Sequence, residues 1–245
     1  MKNKLIGLIL IIMFLFTGNI NAQTPNVSNM PNLNVSRAFY DLMNFLNITD
    51  DTTDLSKKIT RAEFARMVYF LANINPDIGV VDFNDVRKED RQYIGGVYGM
   101  KIMTGTGNNL FGVDQIINYN QASAAIINLL GYRQYAMALG GYPLGYSMTS
   151  LELGLNKGVN TEDFLLKDVI KLFSNSCDID MKFAVGVTEK NTVFEAKKGA
   201  TILSEYHDIY KGNGIVTGNQ VVSLYNEIPC CKSFELEIDK EKYAY

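Results

Sequence analysis

The sequence predicts a mainly α-helical protein that ends in a small, strand-rich α+β module. Three segments, at about 36–75, 82–132 and 141–182, share one plan: a short helix, a polar loop rich in turn-forming residues, and a second helix. From Phe183 onward the pattern changes to alternation, as in residues 234–239, and alternation is typical of strands. A plan that recurs in this way indicates one helix-loop-helix unit used three times, followed by a different module at 183–245.

Residues 1–22 have the features of a secretory signal peptide. Lys2 and Lys4 come before an apolar run at 5–16, and Ala22 ends the segment at a small residue. Twelve helical residues rise only about 18 Å, which is less than the roughly 30 Å of a bilayer core, so the run is too short for a membrane anchor. We expect cleavage after Ala22, a linker at 23–35, and an exported mature protein that has no membrane partner.

Composition excludes several classes of protein. The 245 residues are 47% hydrophobic and 20% charged, which is typical of a folded globular chain, and a formal net charge of −3 argues against a nucleic-acid partner. One histidine and three cysteines are too few for a typical structural zinc site, so we expect neither a metal nor a cofactor. Cys177 lies on an apolar helical stripe and is predicted to be a buried thiol, whereas the state of Cys230 and Cys231 stays open.

Each second helix is predicted to begin with a cap residue and a polar partner three positions later. The pairs are Thr60 and Glu63, Asn118 and Gln121, and, with an apolar residue at the cap, Leu165 and Asp168. The first two pairs fit the capping box, in which each side chain accepts a hydrogen bond from the backbone N–H of the other residue. The third helix begins either at this pair or earlier, from Thr161.

Arg61 stands out because it is a cation in the first turn of a helix. A positive charge there opposes the helix macrodipole. Two interpretations remain open: an exposed arginine that tolerates this position, or an anion site in which the guanidinium and free helical N–H groups hold a carboxylate or phosphate.

Several motifs together resemble the S-layer homology (SLH) family. They are Thr-Arg-Ala-Glu at 60–63, Phe-Asn-Asp-Val at 83–86, the glycine-rich loop at 105–112 with Ile117 after it, and Gly-Tyr-Pro-Leu-Gly-Tyr at 141–146. The resemblance covers residues 36–182 in three copies and is to exported proteins of Firmicute type. It implies a pseudo-threefold helical bundle that binds the secondary polysaccharide of Gram-positive-type cell walls.

The resemblance also implies which residues contact the glycan. By it, Arg61 is the binding arginine of the first copy, and Thr60 and Glu63 shape its helix start. The second copy has Tyr119 at the arginine position, where the ring either stacks on a sugar or packs in the protein. The third copy has Leu166 there, and Lys167 beside it is either a shifted source of charge or a solvated side chain.

The resemblance therefore implies a non-enzymatic protein of the cell wall or cell surface, with the wall polysaccharide and other surface proteins as partners. Loss of two of the three motif arginines leaves a second hypothesis open, a degenerate scaffold for surface-protein assembly. A third hypothesis is a wall-targeted hydrolase. Ser204, His207 and Asp208 include the residue types of a triad, but they lie close together on one predicted helix without a nucleophile elbow, so we assign no catalytic residue.

Overall fold

The computed structural model describes residues 35–50, 52–76, 81–187, 192–210, 214–218, 235–238 and 241–244. The predicted signal peptide and nearly all of the predicted linker lie outside the described residues, as do Cys230 and Cys231. The strand predicted at Val221 and Val222 also lies outside them.

The described part of the chain is mainly helical, as the sequence predicts. Its eight helices are α1 (Arg37–Phe45), α2 (Arg61–Leu71), α3 (Arg91–Gly99), α4 (Tyr119–Leu129), α5 (Arg133–Ala138), α6 (Leu144–Glu152), α7 (Leu166–Ser176) and α8 (Ile202–His207). Five strands form two antiparallel sheets: β1 (Lys182–Val187) with β2 (Thr192–Ala196), and β3 (Gly214–Gly218), β4 (Glu235–Ile238) and β5 (Glu241–Ala244) in that order.

Helix boundaries agree with the capping signals and decide between the two predicted starts of α7. Helix α2 begins after Thr60 and helix α4 after Asn118, each with a complete capping box. Helix α7 begins at Leu166, and Thr161 lies in a bend, so the alternative start at Thr161 is wrong. Helix α6 ends at Glu152, where the chain turns.

The three second helices, α2, α4 and α7, supply much of the core. Phe64 and Phe173 are fully buried and their ring centroids lie 5.9 Å apart. Ile126 and Ile127 on α4 and Ile170 on α7 are equally buried. Burial of a side chain of this size contributes about 1.5–3 kcal/mol, so this cluster sets the spacing of the helices and of the loops between them.

One compact unit includes the helices, β1, β2 and α8, and ends at His207. The Lys182 N–H donates to the Leu130 carbonyl at 2.9 Å. Gly131 makes this approach possible, because a Cβ at its position would lie 2.1 Å from the Lys182 oxygen. The sequence pattern thus changes at Phe183, while the compact unit continues to His207.

Helix α8 is joined to the end of helix α2 by two hydrogen bonds. The Asn73 side-chain amide donates to the Tyr206 carbonyl at 2.7 Å, and a ring nitrogen of His207 lies 2.8 Å from the Leu71 carbonyl.

A second unit follows, and in it β3, β4 and β5 form an antiparallel meander with a register shift between Val216 and Gly218.

Candidate functional site

Arg61 is the first residue of α2, and its side chain is only 6% exposed. Its Nε donates to the Phe111 carbonyl at 3.0 Å and its Nη2 to the Thr104 carbonyl at 2.9 Å. The guanidinium carbon lies 4.9 Å from the centre of the Phe111 ring. Burial lowers the pKa of Arg61, and charge interactions with Tyr142 and Asp85 offset part of that shift. Because an arginine stays protonated in proteins, this is a buried cation that binds backbone carbonyls.

Asp85 holds the same loop by accepting hydrogen bonds from the backbone N–H groups of that loop. One carboxylate oxygen accepts from the Phe111 N–H at 2.8 Å, and the other from the N–H groups of Gly112 at 2.7 Å and Val113 at 3.1 Å. Burial by itself raises the pKa of Asp85, but these three bonds outweigh it, so the pKa lies below its ordinary value. We call residues 104–113 the clamped loop, since Arg61 binds its carbonyls and Asp85 binds its amides.

The burial of Arg61 is specific to its place in the fold. Four of the described helices begin with an arginine, and the side chains of the other three, Arg37, Arg91 and Arg133, are exposed. A cation in the first helical turn interacts unfavourably with the helix macrodipole, at a cost of a few tenths of a kcal/mol. At Arg61 the hydrogen bonds to two carbonyls outweigh that cost.

Thr60 and Glu63 form the predicted capping box. The Thr60 hydroxyl accepts from the Glu63 N–H at 3.2 Å, and the Glu63 carboxylate accepts from the Thr60 N–H at 2.7 Å. Glu63 also pairs with Lys57 at 2.9 Å. Burial raises the pKa of Glu63, but Lys57 and Thr60 together lower it below its ordinary value. Both residues therefore stabilise the start of α2, and Glu63 also forms an ion pair with Lys57.

Two helix starts are joined to a neighbouring loop by the same pair of backbone hydrogen bonds. At each of these starts, the N–H of the first helical residue donates to a carbonyl four residues before the start of another helix of the set α2, α4 and α7. The N–H of the next residue donates to a carbonyl six residues before that same start. The pairs are Arg61 to Gln115 at 2.8 Å and Ala62 to Val113 at 3.2 Å, and Leu166 to Lys57 and Lys167 to Leu55, both at 2.9 Å. We call these the Arg61 junction and the Leu166 junction.

Tyr119 occupies the position in α4 that Arg61 occupies in α2, and it is packed inside the protein. It is 7% exposed, its hydroxyl lies 2.6 Å from the Ser150 hydroxyl, and its ring meets Phe164 edge-on at 5.8 Å. Burial raises the pKa of the Tyr119 phenol. Of the two roles considered for this ring, the structure shows packing in the protein.

Lys167 is exposed, and its side chain makes no hydrogen bond or ion pair within the described part of the chain. Its neighbour Leu166 is 3% exposed and forms part of the wall of a cleft next to the Leu166 junction. Lys167 is absent from that wall. Lys167 therefore does not take part in the cleft.

The cleft has a volume of about 240 Å³ and is lined by polar, charged and apolar residues. Its walls are formed by Asn47, Ile48, Thr49, Asp50, Thr53, Lys57, Ile59, Glu63, Arg66, Met67 and Leu166. Lys57 and Arg66 are the cations among these residues, Asp50 and Glu63 are the carboxylates, and Lys57 is paired with Glu63.

Arg66 is a candidate that the sequence analysis missed. Its guanidinium carbon lies 5.3 Å from the Tyr93 ring centre and 5.9 Å from that of Phe70. It is exposed and makes no hydrogen bond or ion pair among the described residues. The stacking holds the guanidinium in place while its N–H donors stay available. In the sequence Arg66 is indistinguishable from any solvated arginine on the outer face of a helix.

Of the triad residue types, Ser204 and His207 contact different backbone carbonyls. The Ser204 hydroxyl donates to the Gly199 carbonyl at 3.1 Å, whereas the His207 ring is joined to the Leu71 carbonyl.

Cys177 is buried, and burial raises the pKa of its thiol to about 12. Within the described ranges no group of three His, Cys, Asp or Glu side chains is placed to hold a metal ion. None of the helices described here has the length and apolar character to cross a bilayer.

Comparison with known families identifies one segment. The model of the S-layer homology domain matches residues 82–123, which include Asp85, the clamped loop and the start of α4. The chain therefore carries an S-layer homology domain there, and the predicted resemblance is confirmed for this segment. No curated protein matches the chain. The further copies at about 36–75 and 141–182 stay predictions.

Proposed function

We propose that this protein is exported and binds non-covalently to the polysaccharide of a Gram-positive-type cell wall through S-layer homology repeats, without enzymatic activity. The observation that carries the proposal is the S-layer homology match at 82–123, which covers most of the second predicted repeat. In this proposal the helical unit is the anchor, and the secondary wall polymer is its ligand.

The proposal includes a closed arrangement of three repeats. The Arg61 junction joins the first predicted repeat to the second, and the Leu166 junction joins the third to the first with the same spacing. Between the second and third, Tyr119 reaches Ser150 and Phe164. The first residue of each second helix thus extends toward the next predicted repeat in cyclic order, which supports a pseudo-threefold bundle.

The cleft beside the Leu166 junction is the place where we propose that an acidic sugar binds. Arg66 lines this cleft with its guanidinium over two aromatic rings, whereas Lys57 is paired with Glu63, so Arg66 is the cation that we propose meets the sugar. A carboxylate matches the planar fork of an arginine. Arg61 is less suited to contact a polymer, because its Nε and Nη2 already bind carbonyls and its side chain is buried. Glycan contact by Arg61, Thr60, Glu63, Tyr119 and Lys167 stays a prediction.

The test is co-sedimentation of the chain from residue 23 onward with purified wall sacculi, before and after chemical removal of the secondary polymer. We expect binding to intact walls that is lost with the polymer. Replacement of Arg66 by Ala should weaken binding about tenfold, the effect of losing one charge-assisted hydrogen bond of roughly 1.4 kcal/mol. The matched control is Arg91→Ala, an exposed arginine outside the cleft.

The degenerate scaffold is the second candidate, because Tyr119 and Leu166 are buried at two positions where the family motif has its arginine. The same experiment distinguishes the two. Equal sedimentation with and without the polymer, or none with intact walls, would contradict glycan anchoring and favour the scaffold. Loss of binding in Arg91→Ala equal to that in Arg66→Ala would contradict the assignment of the cleft alone.

A further inference from the structure

Helix α6 has the reverse of the usual distribution of polar and apolar residues. Its inner face consists of Gly145, Tyr146, Thr149 and Ser150, all buried. Its outer face presents Leu144 at 63%, Met148 at 40% and Leu151 at 62% exposure. Residues spaced by four and three positions lie on one side of a helix, so these three form a continuous apolar stripe.

The inner polar groups of α6 are satisfied, so the helix is not misplaced. The Thr149 hydroxyl donates to the Gly145 carbonyl at 2.7 Å, and the Tyr146 hydroxyl donates to the Asn128 side chain at 2.8 Å. Ser150 is hydrogen bonded to Tyr119. The outward position of the leucines is therefore fixed by hydrogen bonds on the opposite face of the helix.

The stripe continues onto the end of helix α5. Met137 is 54% exposed, and its sulfur lies 3.5 Å from where a Cβ at Gly141 would stand. A Leu144 methyl group lies 3.9 Å from the equivalent position at Gly140. Both side chains thus border the same glycine turn. We call Met137, Leu144, Met148 and Leu151 the α6 face.

We propose that the α6 face is the contact between two copies of this chain, packed as antiparallel α6 helices about a two-fold axis near Met148. Leu144 lies four residues before Met148 and Leu151 lies three residues after it. An antiparallel partner therefore places each Leu144 near the other copy's Leu151. A surface that is complementary to itself in this way is the requirement for a two-fold interface.

Charge favours the same arrangement. Glu152 is the last residue of α6, where a carboxylate opposes the macrodipole of its own helix, and the first turn of α6 contains no acidic residue. In the antiparallel pair Glu152 of each copy comes beside the other copy's helix N-terminus, where negative charge is favourable. Its hydrogen bond from the Tyr135 hydroxyl at 2.7 Å leaves further lone pairs to accept N–H groups.

The area is sufficient for a specific dimer. Four side chains that are between 40% and 63% exposed present roughly 400 Å² of apolar surface per copy, and apolar atoms form about 60% of a typical interface. Two such faces with their polar rims would bury on the order of 1,300 Å², which lies at the lower end of the range of about 1,200–2,000 Å² for stable interfaces. We therefore expect a reversible dimer in the micromolar range. It requires no wall glycan.

Sedimentation velocity on the chain from residue 23 onward, up to about 200 µM, tests the proposal. We expect a monomer–dimer equilibrium that Leu144→Glu and Leu151→Glu each weaken at least tenfold, with unchanged far-UV circular dichroism because both side chains point outward. The matched control is Phe45→Glu, which charges an equally exposed apolar residue on helix α1. A monomer over the whole range, or a dimer that neither glutamate weakens, would overturn the proposal.

Cross-linking tests the orientation. Met148→Cys should form a covalent dimer rapidly with a short bis-maleimide, since the two copies of residue 148 meet at the axis. Phe45→Cys and the unsubstituted chain, which has its own three cysteines, give the background. Equal yields from Met148→Cys and Phe45→Cys would overturn the two-fold contact even if the chain dimerises.

Discussion

The Arg61 junction and the Leu166 junction share their backbone hydrogen bonds and differ in their side chains. At the first, a buried cation fills the space and binds two carbonyls of the clamped loop. At the second, the buried Leu166 side chain borders a cleft of about 240 Å³ that the exposed Arg66 also lines. The two junctions thus share one helix-start geometry and differ in the first helical residue, a buried arginine at one and a buried leucine that borders a cleft at the other.

Arg61→Ala should give the largest loss of stability. It removes two charge-assisted hydrogen bonds, leaves the Thr104 and Phe111 carbonyls without that partner and opens a cavity. We therefore expect the free energy of unfolding to fall by about 3 kcal/mol. Denaturant unfolding and hydrogen exchange of the clamped loop would measure it. Arg91→Ala, also at the first position of a helix but exposed, should change stability by less than about 0.5 kcal/mol. Similar losses in both variants would show that burial of Arg61 has no special role.

Asp85→Asn should have the next largest effect. An amide can replace the carboxylate only in part, because its NH₂ group would face the N–H donors of the loop. We therefore expect the free energy of unfolding to fall by about 2 kcal/mol at pH 7. Hydrogen exchange should increase at Phe111, Gly112 and Val113 and not in helix α1. Exchange that rises equally in both regions would contradict a local role for Asp85.

The effect of Asp85 should also depend on pH. Its pKa is lower in the folded chain than its ordinary value, so its stabilisation is complete above about pH 4, where the unfolded carboxyl is also ionised. It is lost as the pH falls through the folded pKa. The stability difference between the unsubstituted chain and Asp85→Asn should therefore shrink below about pH 4. A constant difference between pH 6 and pH 3 would contradict the direction of the shift.

Tyr119→Phe should have a smaller effect. It removes one hydroxyl and leaves the buried Ser150 hydroxyl without that partner, at a cost of about 1 kcal/mol. Tyr98→Phe, at a half-exposed tyrosine, is the control and should be close to neutral. If the two variants unfold at the same denaturant concentration, the Tyr119–Ser150 bond contributes nothing to this contact.

Arg66→Ala should change stability least, by less than about 1 kcal/mol, because an exposed cation–π contact is worth no more than that. It should nevertheless weaken wall binding, whereas Arg61→Ala acts mainly on folding. Thermal unfolding and co-sedimentation of the two variants, measured side by side, give the sharpest contrast between the junctions. A large loss of stability in Arg66→Ala would contradict the distinction drawn between them.

The helix starts were predictable from sequence because their physics is local. A capping box joins residues three positions apart, and the buried stripe that follows repeats every turn, so α2 and α4 begin where the pattern indicates. The strands at β1 and β4 follow from alternation in the same way. The short helix α5 has weaker signals and was not predicted, since six residues give little periodicity.

The candidate site was predictable only in part. Arg61 could be selected from its motif, but its partners lie 43 and 50 residues further along the chain, and no local pattern identifies carbonyls as its ligands. Arg66 gave no signal, because the role proposed for it depends on the rings of Phe70 and Tyr93 and on a cleft that Leu166 borders.

The sequence by itself determined the helical class, the capped helix starts and the change to strands after Phe183, because each depends on interactions within a few residues. Tertiary structure decided which first-turn side chain is buried, where a cleft opens, and that α6 turns its leucines outward. Those outcomes depend on hydrogen-bond partners supplied by distant segments: Thr104 and Phe111 for Arg61, and Tyr119 and Asn128 for the inner face of α6. A buried polar group must find such a partner, and only the folded chain provides it.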